Sequence, residues 1–301
     1  MRLPPILRFP LALCLLPLPA LADAPIVVTD IPPVHALVSL VMGDLGAPVL
    51  LLARGADEHD FQLRPSQMQS LADAGLIIWI GPELTPWLDR ATHSISAPML
   101  TLLTAPETQT QTYPEADHGE GDDAAHNHDG TDPHVWLNPD NAARWLPLIA
   151  TNLGQADPAN AAAYVANAAA AQISLTALQS EMSATLAPIA DKPFVTYHNA
   201  FGYFGSHFSL NYVGALADGE AAEPGAAHLV DLQTQLTTEN ILCVFPEAQH
   251  DPALAAQLLD GTPAKLGGAL DPVGSTLDPG PDAYATLLRG LAATLVACLQ
   301  G

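Results

Sequence analysis

Short apolar runs recur along the chain, and stretches of helical spacing lie between them. The runs cover 25–29 (PIVVT), 49–52, 76–80 (LIIWI, closed by Gly81) and 99–103. Helical spacing appears over about 34–42 and 65–74. Apolar runs of four or five residues separated by helices predict strands of a parallel sheet covered on both faces. The alternation returns at 193–197 (PFVTY), 212–216, 241–245 (ILCVF) and 266–270, and ends in an amphipathic helix over 282–299.

Two stretches break the rhythm. Residues 105–131 are polar, acidic and rich in Gly and His, with almost no aliphatic side chains, which predicts a disordered insertion or mobile loop. From Ala159 to Leu186 there is no Gly or Pro, and Ala dominates. With Asp157 as N-cap and Pro158 in the first turn, this predicts a helix over 157–188, about 45 Å long. A helix of that length suits a strut between two α/β lobes, 23–156 and 189–301. Each lobe would carry a mostly parallel sheet flanked by helices.

Composition changes the picture at the N-terminus. Arg2 and Arg8 precede an apolar stretch over 9–21, and Ala20-Leu21-Ala22 has the pattern of a signal-peptidase site. Residues 1–22 therefore read as a secretory signal, with Cys14 removed along with it. No other apolar run approaches the ~20 residues of a membrane-spanning helix. The product is predicted to be exported and soluble. Two cysteines then remain, Cys243 and Cys298; an even count in an oxidising compartment predicts one disulfide.

Charge narrows the function. The 301-residue chain has 9 Lys+Arg against 32 Asp+Glu, net −23, or −25 without the signal. Such a chain repels nucleic acid and anionic lipid and attracts cations. Four loop segments could receive a cation: GADEHDF around His59, DPHVW around His134, YHNAFGYF beginning at Tyr197, and LDPVG around Asp271. His59, His134, His198 and Asp271 lie 75, 64 and 73 positions apart, each following or placed to follow a predicted strand. Loops at the carboxyl ends of parallel strands line the ligand crevice. Three imidazoles with a carboxylate or water form a tetrahedral zinc set.

GADEHDFQLRPS, DPHVWLNP and YHNAFGYF resemble the ligand loops of the zinc-specific solute-binding proteins of bacterial ABC metal importers, the binding proteins of high-affinity zinc uptake. The resemblance covers nearly all of the mature chain. It implies two α/β lobes joined by one long helix, with a metal site in the cleft holding Zn2+ on His59, His134 and His198. Glu58, Asp271 or a water would take the fourth position. It also implies a periplasmic location, no enzymatic activity, and a Cys243–Cys298 disulfide. The partner would be an ABC membrane permease, with a periplasmic metallochaperone as a further candidate, and the protein a monomer. Such families often carry a His- and acid-rich insertion, so His118, His126 and His128 read as a weaker secondary metal loop. His35, His93, His207, His228 and His250 read as ordinary polar residues.

Two other readings compete. A manganese or iron importer subunit would carry Glu where His198 stands. A secreted zinc hydrolase would need a catalytic motif, and neither H-E-x-x-H nor G-x-S-x-G occurs.

Overall fold

The computed structural model describes residues 24–113, 130–217 and 226–301. The predicted signal 1–22, the histidines 118, 126 and 128, and the side chain of His228 lie outside the described residues.

The first half builds β1 (Val27–Thr29), α1 (Pro32–Met42), β2 (Val49–Leu50), α2 (Pro65–Ala72), β3 (Leu76–Trp79), α3 (Pro86–Thr92) and β4 (Met99–Thr101). The strands pair in parallel in the order β2-β1-β3-β4. β1 and β3 are buried at every position, which is why they read as unbroken apolar runs. Two helices follow, α4 (Pro139–Ala156) and α5 (Ala161–Leu186). The second half contains β5 (Phe194–His198), α6 (Gly202–Phe208), β6 (Tyr212–Ala217), α7 (Ala226–Thr238), β7 (Cys243–Phe245), α8 (Ala253–Leu258), β8 (Lys265–Leu266) and α9 (Ala283–Leu299). Its sheet is also parallel, in the order β6-β5-β7-β8. Two parallel α/β sheets with a long helix between them is the predicted architecture.

Both sheets reverse strand order beside their first strand, between β1 and β3 and between β5 and β7. Such switch points open a crevice at the carboxyl ends of the strands. At the first, the buried Asp30 carboxyl accepts the N–H groups of Ile31 and Ile80, both at 2.8 Å. Burial pushes its pKa up to about 7. At the second stand His198, the last residue of β5, and Glu247, two residues after β7.

The structure departs from the sequence reading in four places. Asp157 closes α4, and α5 begins at Ala161 behind Asn160. The Asp157 carboxylate still ties the turn together, accepting from Asn160 Nδ2 at 2.7 Å and Tyr164 OH at 2.9 Å. α5 is no bare strut. Tyr164, Ala168, Ala171, Leu175, Leu178, Met182 and Leu186 form a buried stripe packed on α4, α1 and α9. The hydrophobic pattern predicts nothing over α4, whose interior contains Pro147. A proline there frees the carbonyl four residues earlier; that carbonyl, on Ala143, accepts from Gln172 Nε2 of α5 at 3.1 Å. Finally, the described part of 105–131 is tied down rather than loose. Thr112 bridges Thr131, Gln109 N–H donates to Asn141 Oδ1 at 2.8 Å, and Gln111 N–H donates to Tyr203 OH at 2.9 Å.

The Cys243–Cys298 disulfide joins β7 to α9 across 55 residues. Replacing both cysteines by serine is expected to cost about 2–4 kcal/mol by the usual loop-closure estimate. Denaturant unfolding of the two proteins measures this, and equal midpoints would show that packing alone holds α9.

Candidate metal centre

Each side chain of the centre is delivered by a separate piece of chain. The loop after β2 carries Glu58 and His59. Its path is held by Trp87 Nε1–H, which donates to the Glu58 carbonyl at 2.8 Å, and by Asp57 Oδ1, which accepts the His59 N–H at 2.8 Å. Gly55 opens this loop at φ +72°, a conformation that favours glycine, and donates its N–H to Ser275 O of the second half at 3.0 Å. His134 precedes a short 3-10 turn, Val135–Leu137, whose residues are all buried. His198 ends β5.

Glu58, His59, His134 and His198 bring one ligand atom each within 4.8 Å of one another. The three imidazole centroids are 5.1–5.7 Å apart. Glu58, His134 and His198 are buried, and the His59 side chain retains only 7% of its exposure.

The buried carboxylates decide how the rings present their nitrogens. Asp132 Oδ1 faces His134 Nδ1 at 2.8 Å and also accepts the His134 N–H at 2.9 Å. Both Glu247 oxygens lie 2.7 Å from His198 Nδ1, and Oε1 accepts the His198 N–H at 3.2 Å. A carboxylate at Nδ1 fixes the proton there and turns the Nε2 lone pair the other way. The two Nε2 atoms then face each other at 3.2 Å. Two lone pairs at that distance are stabilised by a cation placed between them. Glu58 Oε1 is also buried with no hydrogen-bond partner among the described residues, and burial pushes the Glu58 carboxyl up to about 7. Asp132 is likewise pushed up to about 7 by burial. A divalent ion would answer all three features, so the residues present fit a metal.

Asp271 does not join this group. Its Oδ1 accepts from Ser275 N and Gln249 Nε2, both at 3.0 Å, and its Oδ2 accepts from Thr276 N at 3.0 Å and Thr276 Oγ1 at 2.7 Å. Both oxygens are occupied in holding the 271–276 turn. Sequence reasoning missed Glu247, whose one local signal is its place just after a predicted strand. Gly202 has a steric role: a Cβ there would collide with the Gln111 amide, which donates to Asp132 Oδ2 at 3.1 Å.

Two parallel α/β sheets that meet over a buried three-histidine, one-carboxylate group define a cleft-type metal-binding protein. Comparison with known proteins makes this specific. Residues 27–298 match the family described as ZnuA, zinc-uptake complex component A, periplasmic, and the chain belongs to that family. It is similar to the high-affinity zinc uptake system protein ZnuA of Paracoccus denitrificans (strain Pd 1222), 45% identical with 94% of each chain covered. The protein of that name from Yersinia pestis is 30% identical, with 91% of each covered. Among solved structures, a zinc-bound 138–173 deletion mutant of ZnuA superposes with a TM-score of 0.77 at 24% identity, covering 92% of this chain and 98% of that one. A laminin-binding adhesin of Streptococcus agalactiae shares the fold at TM-score 0.75 and 24% identity, covering 91% and 99%.

Proposed function

We propose that this chain is the periplasmic binding component of a zinc importer. It captures one Zn2+ on His59, His134, His198 and Glu58 and delivers it to an ABC permease. The observation that carries this reading is the pair of Nε2 atoms turned toward each other at 3.2 Å by buried carboxylates behind each ring. Family membership and relatives named for high-affinity zinc uptake support the metal and the location. Imidazole-rich sets favour zinc over manganese, which prefers oxygen ligands.

The test is a zinc titration of the metal-free mature protein against a competing chelator, repeated at several pH values. One tight site is expected. Glu58 carries a proton below about 7, and zinc must displace it, so apparent affinity falls as pH drops through 7. The proton released on binding is read by calorimetry in buffers of different ionisation enthalpy, and Glu58→Gln removes that contribution. Flat affinity from pH 8 to pH 5 would contradict ligation by histidine and glutamate.

Glu247→Gln replaces the carboxylate behind His198 by a neutral amide. Groups that orient a metal-bound histidine are worth roughly 10–100-fold in affinity. A loss of that size is expected in the same titration, while an unaltered affinity would show that Glu247 serves only packing.

A further inference from the structure

One histidine that the sequence leaves without a role stands at the seam between the two halves. His250 follows β7, and its ring is stacked on Tyr197, centroids 4.2 Å apart and planes at 15°. Its N–H donates to Glu247 O at 3.3 Å. Its Nε2 lies 3.9 Å from Asp57 Oδ2 of the first half. Asp57 is held as well, because its Oδ1 accepts the His59 N–H at 2.8 Å. Both side chains are thus set in place without needing each other. They are 27% and 26% exposed, against 8% or less for the side chains of the buried four.

We propose that Asp57 and His250 form an outer station that Zn2+ occupies in passing between bulk water and the buried centre. The proposal rests on the zinc-binding reading above and adds a route to it. The pair offers one oxygen and one imidazole nitrogen, both zinc-ligating atoms. Their 3.9 Å separation equals that of Glu58 Oε1 and His59 Nε2 within the centre. Two protein ligands leave the remaining positions to water, so the ion is held weakly and exchanges.

The station answers a physical difficulty. A hydrated dication entering a pocket whose walls are nearly closed must shed its waters, and doing so without replacement ligands is costly. At the partly exposed pair the first waters are exchanged for Asp57 and His250 while the others remain. The chain then supplies the next ligands on both sides. Asp57 directly precedes Glu58 and His59, and Tyr197, under the His250 ring, directly precedes His198. An exit by the same steps would present the ion at the seam.

The test is stopped-flow measurement of zinc association and release, read with a fluorescent zinc indicator, on the mature disulfide-intact protein and on His250→Ala and His250→Phe. Phenylalanine retains a ring to stack on Tyr197 and removes the ligand nitrogen. A way station lowers the barrier in both directions. In both variants the association and release rates are therefore expected to fall together, by about tenfold, the low end of what a charged cleft mouth adds to an on-rate. Faster release at an unaltered association rate would make the pair an interlobe tie and overturn the proposal. So would a His250→Phe protein as fast as the parent, or no change in either variant. Absence of a tight site in the parent protein would instead overturn the zinc-binding reading itself.

Discussion

His134→Ala is expected to weaken zinc binding by roughly 10²–10³-fold. The residue is fully buried, and its Nε2 stands 3.2 Å from that of His198. Closed zinc sites bind with roughly 10–16 kcal/mol from four ligands. An even share is about 2.5–4 kcal/mol, or roughly 10²–10³-fold in affinity. The loss also leaves the buried Asp132 carboxyl without its ring partner, which adds to the cost. Chelator competition measures the affinity, and the unfolding midpoint of the metal-free variant reports whether the fold survives. A His134→Ala protein that keeps both its fold and its tight site would remove His134 from the ligand set and with it the proposed centre.

Trp136→Ala has the largest expected effect on stability. Trp136 is fully buried two residues after His134, with its ring 5.2 Å from that imidazole. Its Nε1–H donates to Pro272 O at 2.9 Å, and its own carbonyl accepts from Tyr284 OH of α9 at 2.8 Å. One side chain therefore joins the ligand loop of the first half to the turn before α9. Truncating a buried tryptophan costs about 3–5 kcal/mol, and stranding the Pro272 carbonyl adds about 1–3 kcal/mol. Denaturant unfolding of the metal-free protein checks this. Trp136→Phe, which retains most of the volume and loses the hydrogen bond, should fall between. A loss below about 1 kcal/mol for Trp136→Ala would mean that the halves hold together without this contact.

The strands were legible because the two central strands of each sheet are covered on both faces and leave continuous apolar runs. Each of the three histidines that the fold brings together with Glu58 sits in a distinctive local motif, and two lie next to buried strand or turn residues. The choice between Glu58 and Asp271 was not legible. Both follow predicted strands, and only the direction of each side chain separates them. Asp271 spends its oxygens on Ser275, Thr276 and Gln249, while Glu58 Oε1 is left buried beside the rings. Glu247 escaped for the same reason, since its partner His198 is 49 residues away.

By itself, the sequence determined the parallel α/β class and the long helix and singled out three imidazoles as candidates, because periodicity and motif are local properties of the chain. The tertiary structure alone decided which carboxylate faces the rings, which carboxylates stand behind them, and that α5 is packed along its length on α4, α1 and α9. Those outcomes depend on pairing between segments far apart in the chain. A polar side chain there is oriented by the desolvation cost of burying it without a partner, and nothing in its immediate neighbours records where that partner lies.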